Sequence, residues 1–354
     1  MRDRSAARTT IGRRMADTIL VTGITGYIGG YVAAEALRRG WRVRGSLRDR
    51  ARADEVREAI RAAGQDPSGV ELVELDLLRD DGWEGAVDGC RFVLHVASPF
   101  LTQRPAHADD LIAPAVEGTR RAVTTALRAG AERVVVTSSV AAVQQGHRVA
   151  GRPYGPEDWT DTASREVTVY ARSKTLAERE AWSIADRLDA RGRLAVINPG
   201  TVLGPLLTDD KGTSVDVLAR LLSGAMPVVP DLHLPWVDVR DIAEAHVAAL
   251  TSPVAAGRRT IVASDSLSLI EIARIVRERV PEATAALPSR SLRGAALRLA
   301  SLVVRDLRDN RPFLATPRRF DQSGAEALLG HPLRPIPEAV EDTVRSLLDR
   351  GLLA

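Results

Sequence analysis

The sequence predicts a doubly wound α/β fold with a parallel central sheet. From Thr18 onward, short apolar runs alternate with helical stretches, and a glycine-rich loop joins the first run to the first helix. The run Arg133–Thr137 (RVVVT) is rich in β-branched residues, as expected of a strand that is buried on both faces. Strands that are separated by helices imply right-handed crossovers and parallel pairing. Functional groups should then lie beyond the carboxyl ends of the strands.

The individual elements follow from hydrophobic periodicity and from the glycines that flank it. The predicted strands are Thr18–Thr22, Trp41–Leu47, Val70–Leu75, Arg91–Ala97 and Arg133–Thr137. The predicted helices are Tyr27–Arg39, which Gly40 closes, Arg52–Ala63, one around Ala108–Ala129, and one from Tyr170 to about Arg191.

The chain divides into three regions. Residues 1–14 are Arg-rich and aperiodic, which predicts a disordered extension; a transit peptide and a start at Met15 instead of Met1 are the alternatives. Residues 15–199 carry the alternating elements and form the sheet domain. After Asn198, proline and glycine become more frequent and the loops lengthen. We therefore interpret residues 200–354 as a smaller, mainly helical region, some of whose elements return to the sheet.

Composition excludes several classes of protein. No apolar run approaches the roughly 18 residues that cross a bilayer, so we expect a cytoplasmic protein without membrane association. Cys90 is the single cysteine, which excludes an intrachain disulfide, and its place before a buried strand argues against catalysis. The net charge is +3, without a basic block among aromatic residues, so no nucleic-acid partner is expected. Six scattered histidines predict no metal site.

The loop after the first strand has the pattern G-x-x-G-x-x-G. Glycines allow a tight turn and a close approach of the backbone to a pyrophosphate, whose charge then lies on free N–H groups at the helix N-terminus. Because the loop stands between a predicted strand and a predicted helix, it indicates dinucleotide binding. The positions predicted to contact the cofactor here are Gly23, Thr25, Gly26, Tyr27, Ile28 and Gly29.

The end of the second strand decides which dinucleotide fits. An acidic residue about 20 positions beyond the loop would hold the ribose 2′-hydroxyl of NAD. Leu47 stands there with Arg48 beside it, and a guanidinium suits the 2′-phosphate of NADP. The sequence therefore favours NADPH over NADH, with Asp49 keeping NADH open as the alternative. At the end of the third strand, Asp76 and Leu77 are candidates for the adenine site, and a helix N-cap is the structural alternative for Asp76.

Three side chains with complementary chemistry are predicted to meet at the sheet edge. Ser139 follows the RVVVT strand, and Tyr170 and Lys174 lie one turn apart at the start of a helix. Reduction of a carbonyl needs an acid for the developing alkoxide, and a phenol serves if a nearby ammonium stabilises its phenolate. Only two of the 49 basic residues are lysine, and arginine would be bulkier and differently directed at this position. Ser139 would hydrogen-bond the carbonyl oxygen.

Together these residues resemble the extended short-chain dehydrogenase/reductases of the NAD-dependent epimerase/dehydratase superfamily. Within that group the chain is similar to the branch of dihydroflavonol reductases, cinnamoyl-CoA reductases and microbial aldehyde and methylglyoxal reductases. The resemblance runs from Thr18 over nearly the whole chain, through VTGITGYIGG, RVVVTSSVAAV, YARSKTLAEREAW and VINPGTVLGP. It implies an NADP-binding Rossmann domain over residues 15–199 and a substrate-binding region over residues 200–354.

The resemblance also implies roles for individual positions. It makes Ser139, Tyr170 and Lys174 the catalytic set. The cofactor positions that it implies are Arg48, Asp76, Leu77, Ala97, Ser98, Pro99, Tyr170, Lys174, Pro199, Gly200 and Val202. The substrate positions are Phe100, Ser139, Val140 and Thr201. Some relatives carry a tyrosine at the position of Val140. The Asn-Trp-Tyr cluster of cinnamoyl-CoA reductases is absent before Tyr170, and that absence argues against a CoA thioester substrate.

The resulting hypothesis is an NADPH-dependent reductase that converts a small aldehyde or ketone to the alcohol, as a monomer or homodimer. A nucleotide-sugar epimerase or dehydratase is one alternative, since it shares the fold and the catalytic set. The apolar residues that follow Ser139 differ from the acidic ones of the dehydratases. A non-catalytic NADP-binding sensor is the other alternative, although such proteins usually lose the tyrosine or the lysine.

Overall fold

The computed structural model describes residues 18–98 and 107–353. The strands are β1 (Thr18–Thr22), β2 (Arg42–Leu47), β3 (Val70–Glu74), β4 (Phe92–His95), β5 (Arg133–Thr137), β6 (Leu194–Pro199), β7 (Thr201–Leu203), β8 (Val228–Pro230), β9 (His233–Asp238), β10 (Arg259–Val262), β11 (Ser266–Ser268) and β12 (Arg290–Leu292). The helices are α1 (Tyr27–Arg38), α2 (Ala53–Ala62), α3 (Trp83–Val87), α4 (Asp109–Arg128), α5 (Val169–Arg187), α6 (Gly212–Leu222), α7 (Val239–Ala249), α8 (Leu269–Arg279), α9 (Gly294–Val303), α10 (Arg305–Asp309), α11 (Ser323–Leu329) and α12 (Ile336–Asp349).

Seven strands form one sheet in the order β10-β6-β5-β4-β1-β2-β3, and every neighbouring pair is parallel. The prediction of a doubly wound parallel sheet is confirmed. The direction of winding reverses between β1 and β4, so their carboxyl ends border the crevice where such sheets bind ligands.

Apolar side chains cover both faces of this sheet. In β1, Ile19 and Val21 belong to the cluster under α1 and α7, whereas Leu20 belongs to the cluster under α4 and α5. All three residues are fully buried. Burial on both faces explains why β1 has a continuous apolar sequence instead of an alternating one.

The predicted bounds differ from the observed ones mainly at helix ends. The helix that starts near Tyr170 was predicted to continue to about Arg191, but α5 ends at Arg187. Asp189 has φ +49°, which is incompatible with a continuing helix, and Arg191–Arg193 forms a separate 3₁₀ turn. The segment Arg50–Arg52 is likewise a 3₁₀ turn before α2.

The part of the chain after residue 200 contributes both to the sheet and to a separate layer. β10 pairs with β6 at the edge of the large sheet, and α7 packs on the same face as α1. A further apolar cluster joins α6, α8 and α12 around the fully buried Trp236 of β9. Two small sheets, β11-β9-β7 and β12-β8, complete this layer. Of the helices within the described ranges, none has the length and apolar character needed to span a bilayer.

An ion-pair group fastens the segment before α12 to α7. The Asp241 carboxylate is fully buried and accepts the backbone N–H of Arg334 at 2.7 Å as well as a bond from its guanidinium. The same guanidinium reaches Glu244 at 2.6 Å. Desolvation raises the pKa of the Asp241 carboxyl, so its ionised form depends on the nearby Arg334.

Replacing Arg334 with methionine should destabilise the fold, because the buried Asp241 carboxylate loses its cation. The free energy of unfolding in urea should fall by about 2–4 kcal/mol, close to the range for broken buried ion pairs. Arg345→Met is the matched control, since Arg345 is half-exposed and pairs with Glu341 on the surface of α12. It should cost less than about 1 kcal/mol. Equal losses in the two variants would contradict this account.

Candidate active site

The glycine loop turns tightly onto the N-terminus of α1. Gly23 has φ +71°, and the Gly26 N–H donates to the Gly23 carbonyl at 3.1 Å. A Cβ on Gly29 would lie 2.0 Å from the Gly23 oxygen, so that position excludes any side chain. The first turn of α1 has neither a side-chain cap nor an acidic residue. Its N–H groups are therefore available to an anion, and the loop fits a pyrophosphate.

The other residues of the loop have structural contacts of their own. Ile28 packs against the core cluster beneath α1. Tyr27 packs edge-on against Tyr31 at a ring distance of 5.9 Å. The Tyr27 hydroxyl is buried without a hydrogen-bond partner, and desolvation raises its pKa well above the ordinary value. The Thr25 carbonyl accepts a long bond of 3.4 Å from Arg52. The side chains of Tyr27 and Ile28 thus pack inside the protein, and at these two positions the backbone is what remains for a phosphate.

Arg48, Asp49 and Asp76 follow the ends of β2 and β3 and differ in whether their charged groups are engaged. Asp49 accepts the N–H of Ala51 at 2.9 Å and caps the 3₁₀ turn before α2. Arg48 is exposed and makes no hydrogen bond or ion pair within residues 18–98 and 107–353. Asp76 accepts the N–H of Leu78 at 2.9 Å, which closes a turn and does not cap a helix. An anion at this end of the crevice would meet Arg48.

Tyr170 and Lys174 lie on the first two turns of α5, next to the end of β4. The Lys174 Nζ is 6.0 Å from the centre of the Tyr170 ring and donates to the Ser98 Oγ at 3.1 Å. Tyr170 is 49% exposed, so its hydroxyl is accessible to a small molecule. The ammonium of Lys174 therefore borders the crevice, and the exposed ring of Tyr170 lies beside it.

Ser139 lies on the turn that faces α5. It is nearly buried, and its Oγ accepts the N–H of Ala141 at 3.1 Å. Ala141 packs with Ala171 in a small apolar cluster, which brings the first turn of α5 against the turn after Ser139. The Ser139 hydroxyl accepts this bond and donates none to the residues that the structure describes, so its proton can be donated to another oxygen.

A cleft at the carboxyl ends of β4 and β5 is bordered by Lys174, whereas neither Tyr170 nor Ser139 is among the residues that line it. Its walls bring together positions from distant parts of the sequence. They include Leu77, Ala97, Ser98, Ser138, Lys174 and Glu178.

His95 also borders this cleft, but as a neutral structural group. Its Nδ1 lies 3.0 Å from the hydroxyl of Thr22, which in turn accepts the N–H of Ala97 at 3.1 Å. Burial, together with the nearby charge of Lys174, lowers the pKa of His95 to about 3. The uncharged imidazole thus supports the backbone at Ala97.

The remaining predicted positions are distributed around the same edge. Pro199 ends β6, and the Gly200 N–H donates to the Val262 carbonyl at 3.1 Å. A Cβ on Gly200 would lie 2.5 Å from the Pro235 oxygen. Thr201 begins β7 and is half-buried, while Val202 and Val140 are buried. Pro99 and Phe100 lie outside the described residues.

The sequence analysis did not identify Glu178, a buried carboxylate beside the serine turn. Glu178 is only 1% exposed and accepts bonds from the Ser138 hydroxyl at 2.5 Å and from the Asn198 Nδ2 at 2.9 Å. The Arg259 guanidinium forms an ion pair with it. Asn198 Nδ2 also donates to the Ser139 carbonyl at 3.1 Å. Glu178 therefore joins α5, β5, β6 and β10 at one point.

Arg259 extends the same network to the loop between β5 and α5. Its guanidinium stacks on the Trp159 ring at 3.7 Å and donates to the Asp158 carbonyl at 2.6 Å. One feature of the sequence could have identified Glu178. It lies one turn beyond Lys174, on the helix face that also carries Tyr170.

The parallel sheet, the glycine cradle and the Tyr-x-x-x-Lys helix beside Ser139 define an extended short-chain dehydrogenase/reductase. The chain belongs to the NAD dependent epimerase/dehydratase family, whose sequence profile matches residues 19–263. The resemblance predicted from the sequence is confirmed.

Several known proteins are similar to this chain. The cinnamoyl-CoA reductase CAD2 of Medicago truncatula is 32% identical over 276 residues, which cover 75% of this chain and 82% of that protein. A Candida albicans protein, provisionally named NADPH-dependent methylglyoxal reductase GRP2, is 29% identical over 293 residues, with coverages of 77% and 85%. The crystal structure of the yeast methylglyoxal/isovaleraldehyde reductase Gre2 with NADPH has a TM-score of 0.77 at 24% identity, with coverages of 95% and 100%. That likeness shows the common fold.

Replacing Glu178 with alanine should destabilise the protein strongly, because the buried Arg259 guanidinium loses its counter-charge. A loss of about 3–5 kcal/mol in the free energy of unfolding is expected. Glu180→Ala, two residues away on α5, is the control, since Glu180 pairs with surface arginines and should cost about 1 kcal/mol or less. Chemical denaturation of both variants measures the difference. Similar losses would show that Glu178 is not the centre of the network.

Proposed function

We propose that this protein is an NADPH-dependent reductase that converts a small aldehyde or ketone to the alcohol. The observation that supports the proposal is the neighbourhood of three elements: Lys174 lies beside the Tyr170 ring and bonds to Ser98 after β4, and Ala171 of the same helix packs against the turn that follows Ser139. The names of the related reductases support the same reaction type.

The residues around the crevice fit each part of the cofactor. The glycine cradle and the N-terminus of α1 would bind the pyrophosphate, and Arg48 the 2′-phosphate. Asp49, the acidic neighbour of Arg48, caps its own turn by accepting the N–H of Ala51. Leu77 would border the adenine, and Ser98 and Lys174 would hold the nicotinamide ribose. When bound, NADPH supplies the hydride.

The proton for the product comes from the chain itself. The Tyr170 hydroxyl would donate it to the carbonyl oxygen of the substrate, and the charge of Lys174 would stabilise the phenolate that remains. The Ser139 hydroxyl, whose proton is free, would donate a hydrogen bond to the same oxygen and hold the carbonyl in place. Two donors would thus converge on one oxygen.

The assay that tests the proposal follows the absorbance of NADPH at 340 nm with aldehydes, ketones, diketones and nucleotide sugars. We expect consumption with at least one simple carbonyl compound. Tyr170→Phe should lower kcat by at least about 100-fold, the usual contribution of a positioned acid, while NADPH binding stays nearly unchanged. Lys211→Met, at the only other lysine, is a control that should retain activity. Turnover restricted to nucleotide sugars, or full activity of Tyr170→Phe, would refute the proposal.

Arg48 should determine the preference between the two nicotinamide cofactors. Arg48→Ala should weaken NADPH binding far more than NADH binding, by about 1.5–3 kcal/mol, since only NADPH brings a phosphate to this guanidinium. Fluorescence titration of both cofactors measures the difference. Arg50→Ala, at an exposed neighbouring arginine, should leave the preference nearly unchanged. A parallel loss for both cofactors in Arg48→Ala would contradict the assignment.

A further inference from the structure

Arg318 carries a positive charge that is not balanced by any of the acidic side chains that the structure describes. One terminal nitrogen donates to the Gln144 Oε1 at 2.9 Å and the other to the Pro312 carbonyl at 2.6 Å. Its Nε is buried and has no partner. The guanidinium is flanked by the rings of Tyr154 at 5.9 Å and Phe313 at 5.2 Å.

The surroundings of Arg318 make its positive charge energetically unfavourable. Burial lowers the pKa of the Arg318 guanidinium, and the positive charge of Arg148 acts in the same direction. Arginine nevertheless keeps its charge, so the protein holds a poorly solvated cation without a counter-ion. An anion that binds here would balance the charge of Arg318 and would also accept a hydrogen bond from its Nε.

The position of Arg318 connects it to the candidate active site. Gln144 lies five residues after Ser139, and its backbone N–H donates to the Val140 carbonyl at 3.1 Å. The next residue, Gln145, accepts the N–H of Thr168 at 3.0 Å, at the N-cap of the helix that carries the phenol. The Gln144 side chain therefore links Arg318 to the segment held between the serine turn and the start of α5.

We propose that Arg318 is a specificity-determining residue that receives a carboxylate on the carbonyl substrate. The inference rests on the proposed reductase function and narrows its substrate to oxo acids. The unused Nε–H and the second proton of a terminal nitrogen are planar donors of the kind that bind a carboxylate in two places. The two flanking rings favour a flat group over a tetrahedral phosphate.

The test compares ω-oxo acids of increasing chain length with their methyl esters, which have the same aldehyde but no charge. The wild-type protein should reduce the best acid with a kcat/KM at least about 10-fold above that of its ester. Arg318→Met should lower the value for the acid roughly 10- to 100-fold, the range of a charge-assisted hydrogen bond, and that for the ester less than about 3-fold. Arg319→Met is the matched control, because Arg319 is the exposed neighbour, and should change neither value.

Two results would overturn the inference. One is a wild-type protein that reduces every ester as well as its acid, and this needs no variant. The other is an equal loss for acid and ester in Arg318→Met, which would make Arg318 a structural residue. If Arg318→Met does not fold, Arg318→Gln and the wild-type acid-to-ester ratio decide. If the protein reduces the esters as well as the acids, only the inference about Arg318 is refuted. If it reduces no carbonyl compound at all, the reductase proposal itself is refuted.

Discussion

The buried ion pair between Glu178 and Arg259 is the interaction on which the candidate site depends. Neither side chain has appreciable access to solvent, so each charge compensates the other for the hydration that burial removes. Through Ser138 and Asn198 the carboxylate also fixes the ends of two neighbouring strands. The distance between the serine turn and the tyrosine helix is therefore set by a polar network behind them.

The residues that hold the candidate site in place are therefore different from the residues that are proposed to react. Tyr170 is 49% exposed and Lys174 borders the cleft, whereas Glu178, one turn beyond Lys174 on the same helix, is only 1% exposed. A single helix face thus changes from accessible to buried within three turns. The neutral His95 plays a similar supporting part under β1, where it steadies the backbone that follows β4. Rigid elements of this kind hold reacting groups more accurately than loops do.

The sequence was sufficient to predict those elements whose local pattern agrees with the global fold. The apolar run of β1 and the RVVVT strand predicted the buried parallel sheet, and the glycine loop was placed correctly between β1 and α1. The end of α5 was predicted wrongly, because the left-handed Asp189 breaks a helix whose hydrophobic pattern continues. Local sequence does not show such a backbone change.

The network around Glu178 and Arg259 was not predicted from the sequence, for a different reason. Glu178 and Arg259 are 81 residues apart, and on a sequence each resembles an ordinary surface charge. Only the pairing of β10 with β6 brings them together. Arg318 is similar, since only the fold shows that its partners are an amide and a carbonyl oxygen and that none of the described acidic side chains pairs with it.

The return of β10 to the sheet has a consequence for biosynthesis. Residues 259–262 leave the ribosome about 60 residues after β6, so until then β6 is an open sheet edge that can pair with other nascent chains. During the same interval the carboxylate of Glu178 has no cation. The crevice can therefore reach its final geometry only after β10, the last strand of the large sheet to be synthesised, has docked.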